Sequence, residues 1–93
     1  MDARALVARN LRRLRVSRGL PQEVLAVDAQ VDRTYVSRLE RGLENPTVRV
    51  LERLARALNA EIVEFFVVPR RGERPPQPLP GGRRPGPHGR GGK

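Results

Sequence analysis

The sequence predicts an all-α fold: a compact domain of four to five helices over residues 1–68, followed by a disordered basic tail over residues 69–93. Three observations predict it. Apolar residues recur at helical spacing through the first 68 positions. Glycine, proline and asparagine punctuate these stripes where helices would begin or stop, so the connections are short. Composition then breaks at Pro69: the last 25 residues hold seven prolines and seven glycines, with Leu79 as their sole large apolar side chain. Such a segment buries too little surface to offset its ordering entropy.

The elements follow in order. In the first helix Ala3, Val7, Leu11 and Leu14 form a stripe, and Gly19 suits its stop. Pro21 suits the first turn of the second helix, where no N–H partner is needed. Leu25, Ala26 and Ala29 form that helix's inner face. Asp32 can cap a third helix through its side-chain oxygen, and Gly42 ends it. "ENPT" is a loop from which Thr47 can cap a fourth helix, with Val48, Leu51, Leu54, Ala55 and Leu58 as its stripe and Asn59 as a left-handed stop. A short fifth element, "EIVEFF", contributes Ile62, Phe65 and Phe66. Its end, "FFVVP", is β-branched and aromatic enough to be a strand instead. No internal repeat is visible.

Composition narrows the function. No cysteine is present, which removes disulfides and thiolate metal sites. Charges interrupt the first twenty positions, so no signal-peptide stretch is expected, and no apolar run approaches a membrane span. These features predict a cytoplasmic, nucleoid-associated protein with no membrane partner. The sole histidine, His88, stands alone in the tail. No nucleophile–base pair, phosphate-cradling glycine loop or metal cluster is visible, so no enzyme, cofactor or metal is expected. Asp28 and Asp32 are four apart, but Asp32 is better explained as a cap. Residues 1–68 hold twelve arginines and nine acids, a net +3; residues 69–93 hold seven basic residues and Glu73, a net +6. A polyanion is the first partner to consider. The tail's "GGRRPGPHGRGGK" resembles Gly-Arg segments of nucleic-acid-binding proteins. That signal is weak, and a solubilising tail, or a GC-rich genome's taste for arginine, is the plainer account of it.

The stretch "VDRTYVSRLERG", Val31 to Gly42, carries the most information. At about 100° per residue, Arg33, Ser37, Arg41, Thr34 and Arg38 fall within an arc of about 140°. Val36 and Leu39 point the other way, Tyr35 sits on the flank, and Glu40 lies at the edge between core and polar face. Arginine's planar fork matches guanine O6 and N7. Serine and threonine can contact phosphates or base edges. A helix also fits the major groove of B-DNA. Solvated helical faces with arginines are common, so spacing alone does not decide.

The surrounding order does. "LRRLRVSRGLPQEVLA", "VDRTYVSRLERG", "ENPTVRVLERLARALN" and "EIVEFF" together resemble the helix-turn-helix domain of the lambda repressor/Cro type, the Xre family, over Leu6 to Phe66. The resemblance implies a five-helix domain whose third helix, residues 32–41, enters the major groove. Position by position it implies that Arg33, Thr34 and Arg38 read bases. It implies that Gln22 holds a phosphate at the start of the second helix and that Asn45, in the loop before the fourth, also meets the DNA backbone. Ser37 and Arg41, on the polar face of the third helix, are expected on the backbone as well. It matches Arg15 and Glu40 to a structural pair, which spares Glu40 a lone charge at the core edge.

Four positions depart from the pattern. Pro21 stands where a serine or threonine cap is usual. Gln30 replaces the turn glycine, so a retained left-handed turn strains it by about 1 kcal/mol or more; the alternative is a rebuilt turn. Val24 and Val27 replace polar residues and either enlarge the core or form an apolar patch.

The expected function is a sequence-specific regulator of transcription on double-stranded DNA. A homodimer on a palindrome is expected, because one such helix reads only about 4–5 base pairs. Ile62, Phe65 and Phe66, continued by Val67 and Val68, are the candidate dimer surface, with core closure as the alternative. A protein-interaction adaptor, or an antitoxin-like component that binds a protein partner through the same domain, remains the competing reading, as does sequence-blind binding through the tail.

Overall fold

The computed structural model describes residues 1–70 and Leu79; the expected disorder of the tail falls almost entirely outside the described residues. Four α-helices follow one another, α1 Ala3–Ser17, α2 Gln22–Ala29, α3 Arg33–Glu40 and α4 Val48–Ala57, and a 3₁₀ helix Ile62–Phe66 closes the domain. The alternative of a strand at "FFVVP" is thereby corrected: Glu61 and Glu64 form a reciprocal capping box that winds this segment into a helical turn.

The helices pack around one core. The 3₁₀ helix and α3 lie against α1, and α2 packs on α3 and α4. Val7, Leu11, Leu14, Leu25, Ala26, Ala29, Val36, Leu39, Leu51, Leu54, Ala55, Leu58 and Phe65 are all buried. The expected inner faces therefore lie inside, with two exceptions. Ala3, in the first turn of α1, is exposed. Val48 is 74% exposed, because it opens α4 beside the loop, before the helix reaches the core.

Two caps also differ from expectation. Pro21 stands at the N-cap of α2 rather than in its first turn. Asp32 occupies the N-cap of α3, but its side chain makes no cap bond. By contrast Asp2 accepts from Ala5 N at 2.8 Å and Thr47 from Val50 N at 3.1 Å.

All four helices close in the same way. Leu20, Val31, Leu43 and Ala60 each donate a backbone N–H to the carbonyl five residues back, at 2.8–3.1 Å. The residues before them, Gly19, Gln30, Gly42 and Asn59, are left-handed, with φ of 68°, 62°, 74° and 54°. Gln30 thus keeps the strained turn; it is not rebuilt. Each closing turn also receives a guanidinium. Arg15 Nη1 donates to Leu20 O (2.7 Å), Arg53 to Ala29 O and Gln30 O (3.1 and 3.0 Å), Arg38 Nη2 to Leu43 O (3.4 Å), and Arg18 Nε to Leu58 O (2.9 Å). Cations at helix C-termini satisfy the last carbonyls and favour the helix dipole. Much of the arginine in the helical region therefore has a structural task.

Candidate nucleic-acid interface

The polar face of α3 is held outward by what lies behind it. Val36 and Leu39 are fully buried. Arg33, Thr34, Arg38 and Arg41 are exposed and Ser37 is half-buried. Helical phase makes this division: anchoring two apolar residues in the core turns the opposite side to solvent. Arg41 flanks the groove between α1 and the end of α3, beside Ala5, Ala8, Arg9 and Arg12.

Glu40 ties α3 to α1 and α2. Its side chain is fully buried. It accepts from Arg15 Nε at 2.5 Å and Nη2 at 3.0 Å, from Gln22 Nε2 at 3.1 Å and from Arg12 Nε at 3.4 Å. The fork-on-fork contact with Arg15 compensates the buried carboxylate. Gln22 is thereby fixed at the first turn of α2, where Pro21 supplies no side-chain cap. That leaves the amino-terminal turn of α2 without a side-chain cap, next to an anchored amide side chain.

Arg38 is not loose either. Its Nε donates to Glu44 Oε2 at 2.7 Å and its Nη2 to the Leu43 carbonyl at 3.4 Å. Sequence reasoning missed Glu44. Its signal was available: a stop at Gly42 folds the next two residues back over the last turn of α3. Tyr35 sits on the flank, packed against the core. Burial raises its hydroxyl pKa above 10.0; the charge of Glu44 adds to the rise and that of Arg53 opposes it.

The candidate dimer surface needs correction at one position. Phe65 is fully buried, while Phe66 is 44% exposed and Ile62 half-buried. Adjacent side chains on a helix cannot face the same way, and Phe65 is the one that closes the core. Asn10, also missed, is fully buried and donates from Nδ2 to Phe65 O (2.9 Å) and Val67 O (2.8 Å). Arg13 braces it at Oδ1 and reaches Glu64 O. A polar residue on the Val7–Leu14 stripe was the signal. Val24 and Val27 are 39% and 75% exposed and so form surface, not core. Asn45 is exposed on the loop before α4.

A family model described as "Helix-turn-helix domain" matches residues 6–65. An uncharacterised HTH-type transcriptional regulator, y4dJ of Sinorhizobium fredii, is 47% identical over 65 residues, 70% of this chain and 84% of that protein. The crystal structure of the restriction-modification controller protein C.AhdI from Aeromonas hydrophila is similar at a TM-score of 0.66 and 40% identity, covering 68% of this chain and 96% of that one. The hypothetical transcription factor NHTF from Neisseria gives a TM-score of 0.70 at 40% identity, covering 73% of this chain and 78% of that one.

Proposed function

Because the chain belongs to the helix-turn-helix domain family, we propose that it is a sequence-specific regulator of transcription that lays α3 in the major groove of double-stranded DNA. The observation that carries this reading is the division of α3: Val36 and Leu39 fully buried, Arg33, Thr34 and Arg38 exposed on the other side. On this reading those three side chains meet base edges. Gln22, Ser37, Arg41 and Asn45 meet the backbone, with the uncapped start of α2 as a further phosphate site. Similarity to a transcriptional regulator and a restriction-modification controller protein supports it. The protein binds rather than catalyses, and it works in the cytoplasm at the nucleoid.

One such helix reads too few base pairs for genomic specificity, so the working form is a homodimer on a palindrome. Exposed Val63, Phe66 and Val67 offer apolar surface for the pairing. Selection from random duplex DNA by the full chain, at about 150 mM salt, tests both statements. A palindrome with guanines in each half-site is the expected result. Recovery of no motif by folded protein would refute specific readout.

A further inference from the structure

We propose that Glu44 is a positioning residue that aims Arg38 at a single guanine in each half-site. The inference rests on the reading of α3 as the base-reading helix and adds the residue that sets the accuracy of that reading.

Three contacts tie the loop after α3 to Arg38. The Leu43 N–H donates to the Arg38 carbonyl at 3.0 Å, within the closing turn whose left-handed residue is Gly42. The Leu43 carbonyl accepts from Arg38 Nη2 at 3.4 Å, and Glu44 Oε2 accepts from Arg38 Nε at 2.7 Å. The loop therefore occupies the Nε–Nη2 edge of the guanidinium. Neither contact uses Nη1, so the Nη1–Nη2 edge is the one left for a further ligand. That edge carries two roughly parallel N–H bonds, the pattern that guanine O6 and N7 accept together. Adenine offers an acceptor at N7 but a donor at N6, so a guanidinium held in this pose rejects it.

The alternative role is a screen, with Glu44 merely neutralising Arg38 until DNA arrives. Geometry favours positioning. The side chains of Arg38 and Glu44 keep 46% and 29% of their exposure, so the pair is not a buried lock that DNA must break. An exposed pair of this kind contributes little to stability. Its main effect is to restrict a long side chain that otherwise samples many rotamers. Glu44 also carries a negative charge near the phosphates, which weakens binding to every sequence alike. Positioning thus raises discrimination while lowering affinity, and the two effects separate experimentally.

The experiment measures binding of full-length wild type, E44Q, E44A and R38A to the selected palindrome and to duplexes with each half-site guanine replaced in turn. R38A is expected to abolish the preference at one guanine per half-site and leave the others. E44A is expected to weaken the preference at that same guanine about threefold to fivefold per half-site, with binding to scrambled duplex unchanged or tighter. E44Q keeps an acceptor for Nε and is expected to fall between wild type and E44A. Circular dichroism verifies that the variants fold. If R38A relaxes one position while E44A relaxes none, or if E44A and E44Q tighten all duplexes equally, positioning is overturned and the reading of α3 stands. If wild type selects no motif, or R38A leaves every preference intact, readout by α3 itself fails and takes this inference with it.

Discussion

Arg53, on α4, donates from Nε to the Ala29 carbonyl and from Nη2 to the Gln30 carbonyl, at 3.1 and 3.0 Å. It thereby clamps the turn that joins α2 to α3. Gln30 is left-handed there, at φ 62° and ψ 45°, a conformation that costs an L-residue roughly 1–2 kcal/mol. The clamp and the strain act on the same peptide units. The angle between the two helices is held from outside the turn, by a residue 23 positions downstream, rather than by a glycine within it.

Gln30→Gly is expected to stabilise the domain. Relief of the left-handed strain exceeds the extra chain entropy of glycine by a modest margin, up to about 1 kcal/mol. Gln30→Val is expected to destabilise it, since a β-branched residue tolerates positive φ worst. Arg53→Ala removes two charge-assisted bonds from a half-buried site and is expected to cost about 1–2 kcal/mol. Urea unfolding of the three variants checks the order. Arg53→Ala combined with Gln30→Gly should lose less than Arg53→Ala alone.

The Glu40 hub predicts a different kind of non-additivity. Glu40→Ala leaves the Arg15 guanidinium buried without its carboxylate, a change expected to cost about 3–5 kcal/mol. For a domain of this size that removes most of the stability. Replacing both, Arg15→Met with Glu40→Leu, removes the stranded charge and is expected to be milder than Glu40→Ala alone. Gln22 loses its anchor in both variants. DNA affinity should therefore stay below wild type in the double variant even where thermal stability recovers. A Tm series beside a binding titration separates the two outcomes.

Much of this architecture was legible in the sequence, and the limits have physical reasons. Stripes such as Leu11–Leu14 and Leu51–Leu54–Leu58 locate the core because helical phase is a one-dimensional property. Gly19, Gly42 and Asn59 mark helix ends because left-handed closure is demanded locally. Gln30 is the instructive exception. Nothing local favours a glutamine at that turn; its support comes from Arg53, a contact across the fold that periodicity cannot reveal. Asn10 and Glu44 differ from Gln30: each has a local signal, a polar residue on an apolar stripe and an acid two residues past a helix stop. The Asn10 partners Phe65 and Val67 lie on another element, while Glu44 pairs locally with Arg38. The sequence shows that Phe65 and Phe66, one helical step apart, cannot both face inward, which leaves core closure and dimer surface both open. Only the packing of the 3₁₀ helix on α1 decides which of the two goes inside.

Tyr35 gives the domain an alkaline limit. Burial raises its pKa above the ordinary 10.0, with Glu44 adding to the shift. The folded state therefore holds this proton more tightly than the unfolded chain does. Its contribution is fully present below about pH 10, the unfolded value, and is lost as pH rises through the higher folded value. Tyr35→Phe is expected to flatten the fall in stability between neutral pH and pH above 10.0, while changing little at neutral pH. Urea midpoints measured across that range check the sign. A steeper fall in Tyr35→Phe would contradict it.

Arg41 and Arg38 lie three residues apart on one exposed face, yet they are expected to fail differently. Among the described residues, none aims Arg41 at a base as Glu44 aims Arg38, and Arg41 stands at the carboxyl end of α3, beside the groove with α1. On the proposed reading a guanidinium there meets phosphate, whose charge is the same under every base pair. Arg41→Ala should therefore weaken binding to the selected palindrome and to scrambled duplex by similar factors. The slope of log affinity against log salt should become shallower by about 0.9 for each phosphate that is no longer neutralised, hence about twice that for a dimer. Arg38→Ala should leave the slope nearly unchanged while removing preference at one base pair per half-site, because binding to base edges releases few counterions. Titrations of both variants at several salt concentrations, on cognate and scrambled duplexes, distinguish the two roles. A sequence-selective loss in Arg41→Ala would move that residue from the backbone to the base-reading set.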